Sequence, residues 1–299
     1  MSREQIEITE RRVAANGIEI AVAVAGRGPA VLLLHGFPHT WQLWREVIGP
    51  LAQRHRVIAP DLRGLGASTH ATDGYDAETL ADDAAALLAA LGEPRAAVVA
   101  IDAAVPAAFL LALRKSGPVD RLVLMESLLG TLPGAEAFLT GGPPWWFGFH
   151  AVPGLAEQAL AGNESAYIDW FLRTGTRGRG VPATIRDVFV EAYTGAESLR
   201  CAFSYYRAMP ETAEQIRAAV AATRLTVPTL AIGAHPVGNA LASQLRPITD
   251  DLSSHLIPDC GHIIPLDRPD ALLPLLTDFI DHPTPSEVAR KSARHAPPA

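Results

Sequence analysis

The stretch Ala97-Val98-Val99-Ala100-Ile101-Asp102-Ala103-Ala104-Val105-Pro106 decides how the chain is read. The β-rich run Val98–Ala100 leads into a turn of small residues, and the apolar stretch Ala107–Leu113 leaves it as a helix. A strand that turns sharply into a helix brings the two backbones nearly into contact. Small residues are therefore needed two positions before and two after the turn residue, and Ala100 and Ala104 meet that need. Asp102 stands at the apex, where such elbows usually carry a nucleophilic serine. An aspartate there makes the candidate nucleophile a carboxylate. Asp is also a favoured N-cap, so capping of a helix over Ala103–Ser116 accounts for the residue equally well on local grounds.

Upstream of the elbow, Ile6–Val13 and Ile18–Val24 alternate apolar and polar residues as half-buried strands do, and Asn16-Gly17 between them is a hairpin turn. Val31–Leu34 and Val57–Ala59 are continuously apolar, the mark of strands buried on both faces. They end in His35-Gly36-Phe37-Pro38 and in Pro60-Asp61-Leu62-Arg63-Gly64-Leu65-Gly66-Ala67-Ser68. Amphipathic helices are predicted over Trp41–Leu51 and over Thr79–Leu91, the second closed by Gly92. Downstream, the strand Leu122–Met125 ends at Glu126.

From Leu128 to about Arg224 no strand is evident. Short aromatic-rich helical pieces fill that span: Trp145–His150, Leu155–Leu160, Ser165–Arg173, Ala183–Tyr193, Glu197–Met209 and Ala213–Thr223. They read as a helical lid over the sheet. Strand and helix then alternate again, with Thr229–Ile232, Ala240–Leu245, a strand at His255–Ile257, the loop Pro258–His262 and a helix over Leu272–Ile280. The division is thus a core over 1–127 and 225–281, a lid over 128–224 and a disordered tail over 282–299. In that tail Arg290, Lys291 and Arg294 are solvated charges. The pattern predicts an α/β fold with a mostly parallel eight-stranded sheet flanked by helices. Reactive groups in such sheets gather at the carboxyl ends of the strands, where His35, Asp61, Asp102 and Glu126 all fall.

At 48% hydrophobic and 19% charged residues, the 299-residue chain can bury a large core, which excludes global disorder. Its net charge of -7 argues against nucleic acid or an anionic membrane as partner. Cys201 and Cys260 lack metal-ligand spacing and read as ordinary thiols of a reducing compartment. Met1–Gln5 has no charged-then-apolar signal, and no apolar run nears the ~20 residues of a membrane span. A cytoplasmic protein without metal or cofactor is the expectation.

Taken in order, these residues resemble the α/β-hydrolase superfamily and, within it, the epoxide hydrolases. The likeness rests on His35-Gly36-Phe37-Pro38, Asp61–Ser68, Asp102 at the elbow, Gly261-His262 and the lid stretch Phe203-Ser204-Tyr205-Tyr206-Arg207-Ala208. It implies a core sheet with a helical cap inserted after the sixth strand. It also implies that Asp102 attacks an epoxide carbon to form an ester, and that His262 then activates a water against that ester. The histidine needs a carboxylate behind it. The usual loop after the seventh strand, Gly233–Gly238, has no acid, and the resemblance implies Glu126, at the alternative position after the sixth strand that part of the family uses, with Asp259 ranked second.

The amides of Phe37 and Ala103 are the candidate oxyanion hole, and the resemblance implies a cis peptide before Pro38. Tyr206 matches the lid donor to the leaving oxygen. The usual second Tyr or His is replaced by Trp146, whose N–H can donate a hydrogen bond but not surrender its proton. Trp145, Phe147, Tyr205 and Pro38 complete the candidate substrate contacts. The Trp145-Trp146 pair resembles epoxide hydrolases acting on aromatic polyketides, while packing of the lid on the core is the other reading of the two rings, Trp145 more than Trp146. The implied partner is a small epoxide, and a homodimer is compatible with the sequence. A haloalkane dehalogenase uses the same groups, but usually with a tryptophan where Ala103 stands. No arginine follows Asp102 to bind a haloacid, and a serine esterase is excluded by the aspartate. A receptor that has lost catalysis would be expected to lack one of these reactive groups.

Overall fold

The computed structural model describes residues 6–282. Its strands are β1 (Ile8–Ala15), β2 (Ile18–Ala25), β3 (Ala30–Leu34), β4 (Arg56–Pro60), β5 (Ala96–Ile101), β6 (Val119–Met125), β7 (Thr229–Gly233) and β8 (Leu252–Leu256). They form one sheet in the order β1-β2-β4-β3-β5-β6-β7-β8. The β1–β2 and β2–β4 pairs are antiparallel and the rest parallel. This is the mostly parallel eight-stranded sheet the sequence predicts.

The strand β5 shows why the middle of the sheet is apolar throughout. Ala97, Val99 and Ile101 enter one apolar cluster, while Ala96, Val98 and Ala100 enter the other. Successive side chains point to opposite faces, so a strand covered on both sides can afford no polar position. Helices α1 (Arg45–Leu51) and α12 (Pro269–Asp281) contribute to the first cluster, and α2 (Ala77–Ala90), α3 (Val105–Leu113) and α10 (Ala240–Leu245) to the second.

Three boundaries differ from expectation. The helix predicted over Trp41–Leu51 opens as a 3₁₀ turn, Trp41–Trp44, capped by the Thr40 side chain. The helix after the elbow likewise opens with a 3₁₀ turn at Asp102–Ala104 and ends at Leu113. Finally, β8 begins at Leu252, before the predicted His255. Its sequence Leu-Ser-Ser-His-Leu is mostly exposed at the sheet's edge and carries no apolar run. A short helix, α11 (Ile264–Asp267), was not foreseen.

Between β6 and β7 lie α4 (Trp145–Ala151), α5 (Leu155–Leu160), α6 (Glu164–Gly175), α7 (Ala183–Ala192), α8 (Ala196–Arg207) and α9 (Met209–Ala222). This helical insertion is tied to the carboxyl-end loops of the sheet. The Tyr193 hydroxyl donates to the His39 carbonyl at 2.7 Å, and the Ile263 amide donates to the Gly175 carbonyl at 2.9 Å. The approach is close: a Cβ on Gly261 would lie 2.2 Å from the Gly175 carbonyl oxygen. No helix of the described residues is long and apolar enough to cross a membrane. The Met1–Gln5 segment and residues 283–299 of the predicted tail, with Arg290, Lys291 and Arg294, lie outside the described residues.

Candidate active site

The end of β5 delivers Asp102 with φ +56, a left-handed conformation uncommon for a residue with a side chain. Such backbone is found where surrounding structure over-determines it, often at functional sites. The carboxylate is not confined to the Ala103 amide of the turn it opens. Instead Oδ1 accepts the Phe37 amide at 2.9 Å, with the Ala103 amide adding its support, and Oδ2 lies 3.1 Å from His262 Nε2. Local N-capping alone therefore does not account for Asp102, which also binds the distant Phe37 amide and His262. The approach of the two loops leaves no room beside it, since a Cβ on Gly36 would come within 2.3 Å of Oδ1. The Phe37–Pro38 peptide is cis, and Pro38 is buried in the turn.

At the end of β6, Glu126 also has a left-handed backbone, with φ +46. Its buried Oε1 accepts the Ala234 amide at 2.6 Å, and Oε2 lies 3.3 Å from His262 Nδ1 and 3.4 Å from the Val237 amide. The loop after β7, which carries no acid, thus supplies the amides that hold one. Asp259 makes no hydrogen bond to the His262 ring, and its carbonyl accepts from Arg179 at 3.0 Å. Burial disfavours the His262 imidazolium, but the hydrogen bonds and charges of Asp102 and Glu126 outweigh it and push the pKa up to about 10. Burial would likewise raise Asp102, yet His262 and the Ala103 and Phe37 amides hold it below the usual carboxylate range. Both shifts run in the direction that favours an imidazolium beside a carboxylate.

The neighbouring polar residues brace these loops. His35 Nε2 accepts the Leu62 amide at 3.2 Å, which leaves Nδ1–H to donate to the Gly36 carbonyl at 3.0 Å. Asp61 accepts from the Trp41 and Ala67 amides at 2.7 and 2.8 Å, and Arg63 forks onto Asp83 with two bonds of 2.7 Å. His39 is buried with neither ring nitrogen partnered, and burial lowers its pKa to about 3, so it is neutral.

Above the elbow, α8 presents Tyr206. Its ring lies 5.9 Å from that of Phe37 and 5.7 Å from that of Phe147. Burial, and then the charge of Asp102, raise its pKa well above the ordinary tyrosine value, so the hydroxyl keeps its proton at neutral pH. It has no hydrogen-bond partner among the described residues. Tyr205 does not join it. Its hydroxyl donates to the Arg63 carbonyl at 2.8 Å and its ring packs 5.3 Å from Tyr75, which corrects the expectation of a substrate contact. The two side chains leave the helix about 100° apart, and packing sends Tyr205 to the Arg63 loop and Tyr206 toward Phe37 and Phe147.

Trp146 packs among Trp145, Phe147, Trp170 and Phe171, and not against Tyr206 or Phe37. Trp145 stands on the outer surface, 56% exposed. The sequence reading missed His150 and Tyr167. The fully buried His150 ring stacks on Phe203 at 4.1 Å, stands edge-on to Tyr206 at 4.3 Å and shares a 2.7 Å hydrogen bond with Tyr167. Burial, then the charge of Arg207, lowers its pKa to about 3. Its i+4 spacing from Trp146 on α4 was the available signal. One cluster of metal-ligating types occurs among the described residues: His70, Glu197 and Cys201 hold donor atoms within 4.8 Å of one another. The Arg200 guanidinium already binds both the Glu197 carboxylate and the Cys201 sulfur.

The geometry can be set beside known proteins. The alpha/beta hydrolase fold family matches residues 29–269. A soluble epoxide hydrolase of Corynebacterium sp. (strain C12) is 28% identical over 294 residues, covering 91% of this chain and 97% of that protein. Among solved structures, Cfl2 from Burkholderia cenocepacia superposes with a TM-score of 0.83 at 31% identity, covering 90% of this chain and 95% of that one. The Cif epoxide hydrolase from Acinetobacter nosocomialis does so with a TM-score of 0.82 at 25% identity, covering 91% and 89%.

Proposed function

The chain belongs to the alpha/beta hydrolase fold family, and on that premise we propose that it is an epoxide hydrolase, opening a bulky or aromatic epoxide to a vicinal diol through an ester of Asp102. The similar epoxide hydrolases support this reading. The observation that carries it is the Asp102 carboxylate, with Oδ1 on the Phe37 amide and Oδ2 toward His262, and the ring of Tyr206 packed by Phe37 with a hydroxyl that has no hydrogen-bond partner among the described residues.

Oδ2 attacks an oxirane carbon, the C–O bond of the ring breaks, and Tyr206 gives its proton to the leaving oxygen. Oδ1 becomes the ester carbonyl oxygen, already in place on two amides. Esterification removes the Asp102 charge, so the His262 pKa falls and its proton passes to the tyrosinate. Neutral His262 then takes a proton from water, and the hydroxide adds to the ester carbon. Collapse of the adduct expels the alkoxide, which takes the proton of the adduct's hydroxyl to become the diol, leaving Asp102 as carboxylate and His262 as imidazolium. Glu126 fixes the Nδ1–H tautomer throughout. In this reading the 128–224 insertion is the lid that holds Tyr206 in place and excludes bulk water, and Phe147 is one wall of the substrate site.

The test is turnover of an aryl epoxide and of a haloalkane, with diol and halide measured together. Diol from the epoxide, with Tyr206→Phe slowing ring opening more than Trp146→Phe, is the expected outcome. One neutral hydrogen bond to a developing alkoxide is worth about 2–4 kcal/mol, and the tyrosine supplies the proton as well. Halide release with no diol from any epoxide overturns the reading in favour of a dehalogenase, which needs no proton donor.

A further inference from the structure

The two edges of the sheet are built differently. At one edge β1 carries Glu10, Arg11 and Arg12, and charges of that kind keep an open strand from pairing with another chain. At the other edge β8 reads Leu252-Ser253-Ser254-His255-Leu256, with no Lys, Arg, Asp, Glu or Pro to protect it. Ser253, Ser254, His255 and Leu256 are all exposed, Leu256 at 47%. Parallel strands are normally covered on both faces, so β8 is anomalous in having neither face buried.

The hydrogen bonds to β7 decide which backbone groups of β8 remain unpaired. The Thr229 amide donates to the Asp251 carbonyl at 2.9 Å, and the Ile257 amide donates to the Gly233 carbonyl at 2.9 Å. Backbone direction alternates along a strand, so Asp251, Ser253, His255 and Ile257 turn toward β7. Leu252, Ser254 and Leu256 turn their N–H and C=O groups outward. Among the described residues no other segment hydrogen-bonds to those outward groups.

This edge is complementary to itself. In an antiparallel pairing of two copies about a two-fold axis at Ser254, Ser254 faces Ser254 of the second copy, and Leu252 faces Leu256 of the second copy. These are the hydrogen-bonded positions of such a ladder, so each pair exchanges two N–H···O bonds and every outward group is satisfied. The same register puts leucine beside leucine on one face and Ser253 beside His255 of the second copy on the other. No charge meets a like charge within the ladder, and Asp250, just before the strand, is held by Arg224 at 2.8 Å. The five residues span about 17 Å of edge. A strip of that length buries less than the ~800 Å² per partner of a standard interface, so the association is concentration dependent and not obligate.

We propose that β8 is a homodimerisation edge, pairing antiparallel with β8 of a second copy about Ser254 so that one sheet runs through both molecules. The loop Pro258–His262 follows β8 directly, so the pairing also steadies the strand that delivers His262. The proposal is independent of the epoxide hydrolase reading.

Sedimentation velocity of the full-length protein, from low micromolar to several hundred micromolar, tests it. The wild type should pass from monomer to dimer over that range. Ser254→Pro removes an outward N–H without touching the bonds to β7. It should weaken self-association by about tenfold or more, since each dimer loses that bond twice. Ser254→Lys and Ser254→Glu each set like charges face to face across the axis, and each alone should be monomeric. Both side chains suit an exposed position, which keeps the test decisive if the proline variant fails to fold. Mixing the lysine and glutamate variants should restore a dimer, because each lysine then faces a glutamate. A wild type that stays monomeric throughout overturns the proposal, and a mixture that stays monomeric overturns the register about Ser254. A wild-type dimer that all three variants retain also overturns it. So does one that Trp170→Ala dissolves while the Ser254 variants do not, because the interface then lies on the helical insertion.

Discussion

At the scale of single residues, the carboxylate behind His262 is the most exposed assignment, because the sequence offers two acids for it. Glu126 meets Nδ1 at 3.3 Å and is itself held by the Ala234 amide, whereas Asp259 makes no bond to the ring. Glu126→Gln keeps the shape and removes the charge that supports the imidazolium. Losing a charged hydrogen bond is worth roughly 1.5–3 kcal/mol, so ester hydrolysis should slow by about 10- to 150-fold while alkylation changes little. Rapid-quench measurement of the two steps checks this, and the same phenotype from Asp259→Asn alone would move the role. Asp102, Glu126 and His262 were legible because each follows a strand, and strand ends converge whatever the lid does. The partner of each carboxylate oxygen was not legible, since it depends on loop amides far away in the chain.

At the scale of elements, α8 shows where sequence pattern stops. Phe203–Ala208 is easily read as a helix, but the rotation of that helix about its axis is set by packing on the loop around Arg63, which no local pattern records. Tyr205 therefore faces Arg63, while the Tyr206 ring lies against Phe37 and Phe147. The two tyrosines should separate cleanly on mutation. Tyr205→Phe leaves the buried Arg63 carbonyl without its donor and should cost about 1–3 kcal/mol of stability, with ring opening nearly unchanged. Tyr206→Phe should do the reverse. Thermal melts paired with single-turnover kinetics distinguish them. The core strands were the easy elements, because continuous apolar runs such as Val31–Leu34 admit one environment only. The edge strand β8 was misplaced because exposed Ser253, Ser254 and His255 carry no such signal.

At the scale of the whole molecule, the coupling of Asp102, His262 and Glu126 makes stability depend on pH. The folded His262 pKa, pushed up to about 10, lies above its ordinary 6.5. Folding therefore binds a proton between those values, and the stabilisation is complete below pH 6.5 and is lost as pH rises through about 10. The wild-type melting temperature should fall across that window more steeply than that of His262→Gln, and parallel slopes would deny the coupling. The covalent intermediate is the central claim, and intact mass of His262→Gln after exposure to a fused-ring aryl epoxide tests it most directly. The variant keeps Asp102 and Tyr206 but lacks the base that clears the ester. The expected result is protein heavier by the mass of one epoxide, with the adduct mapping to the peptide that contains Asp102 and absent from Asp102→Asn/His262→Gln. Diol formed by His262→Gln at the wild-type rate with no adduct at any time, or an adduct that survives loss of Asp102, would contradict it.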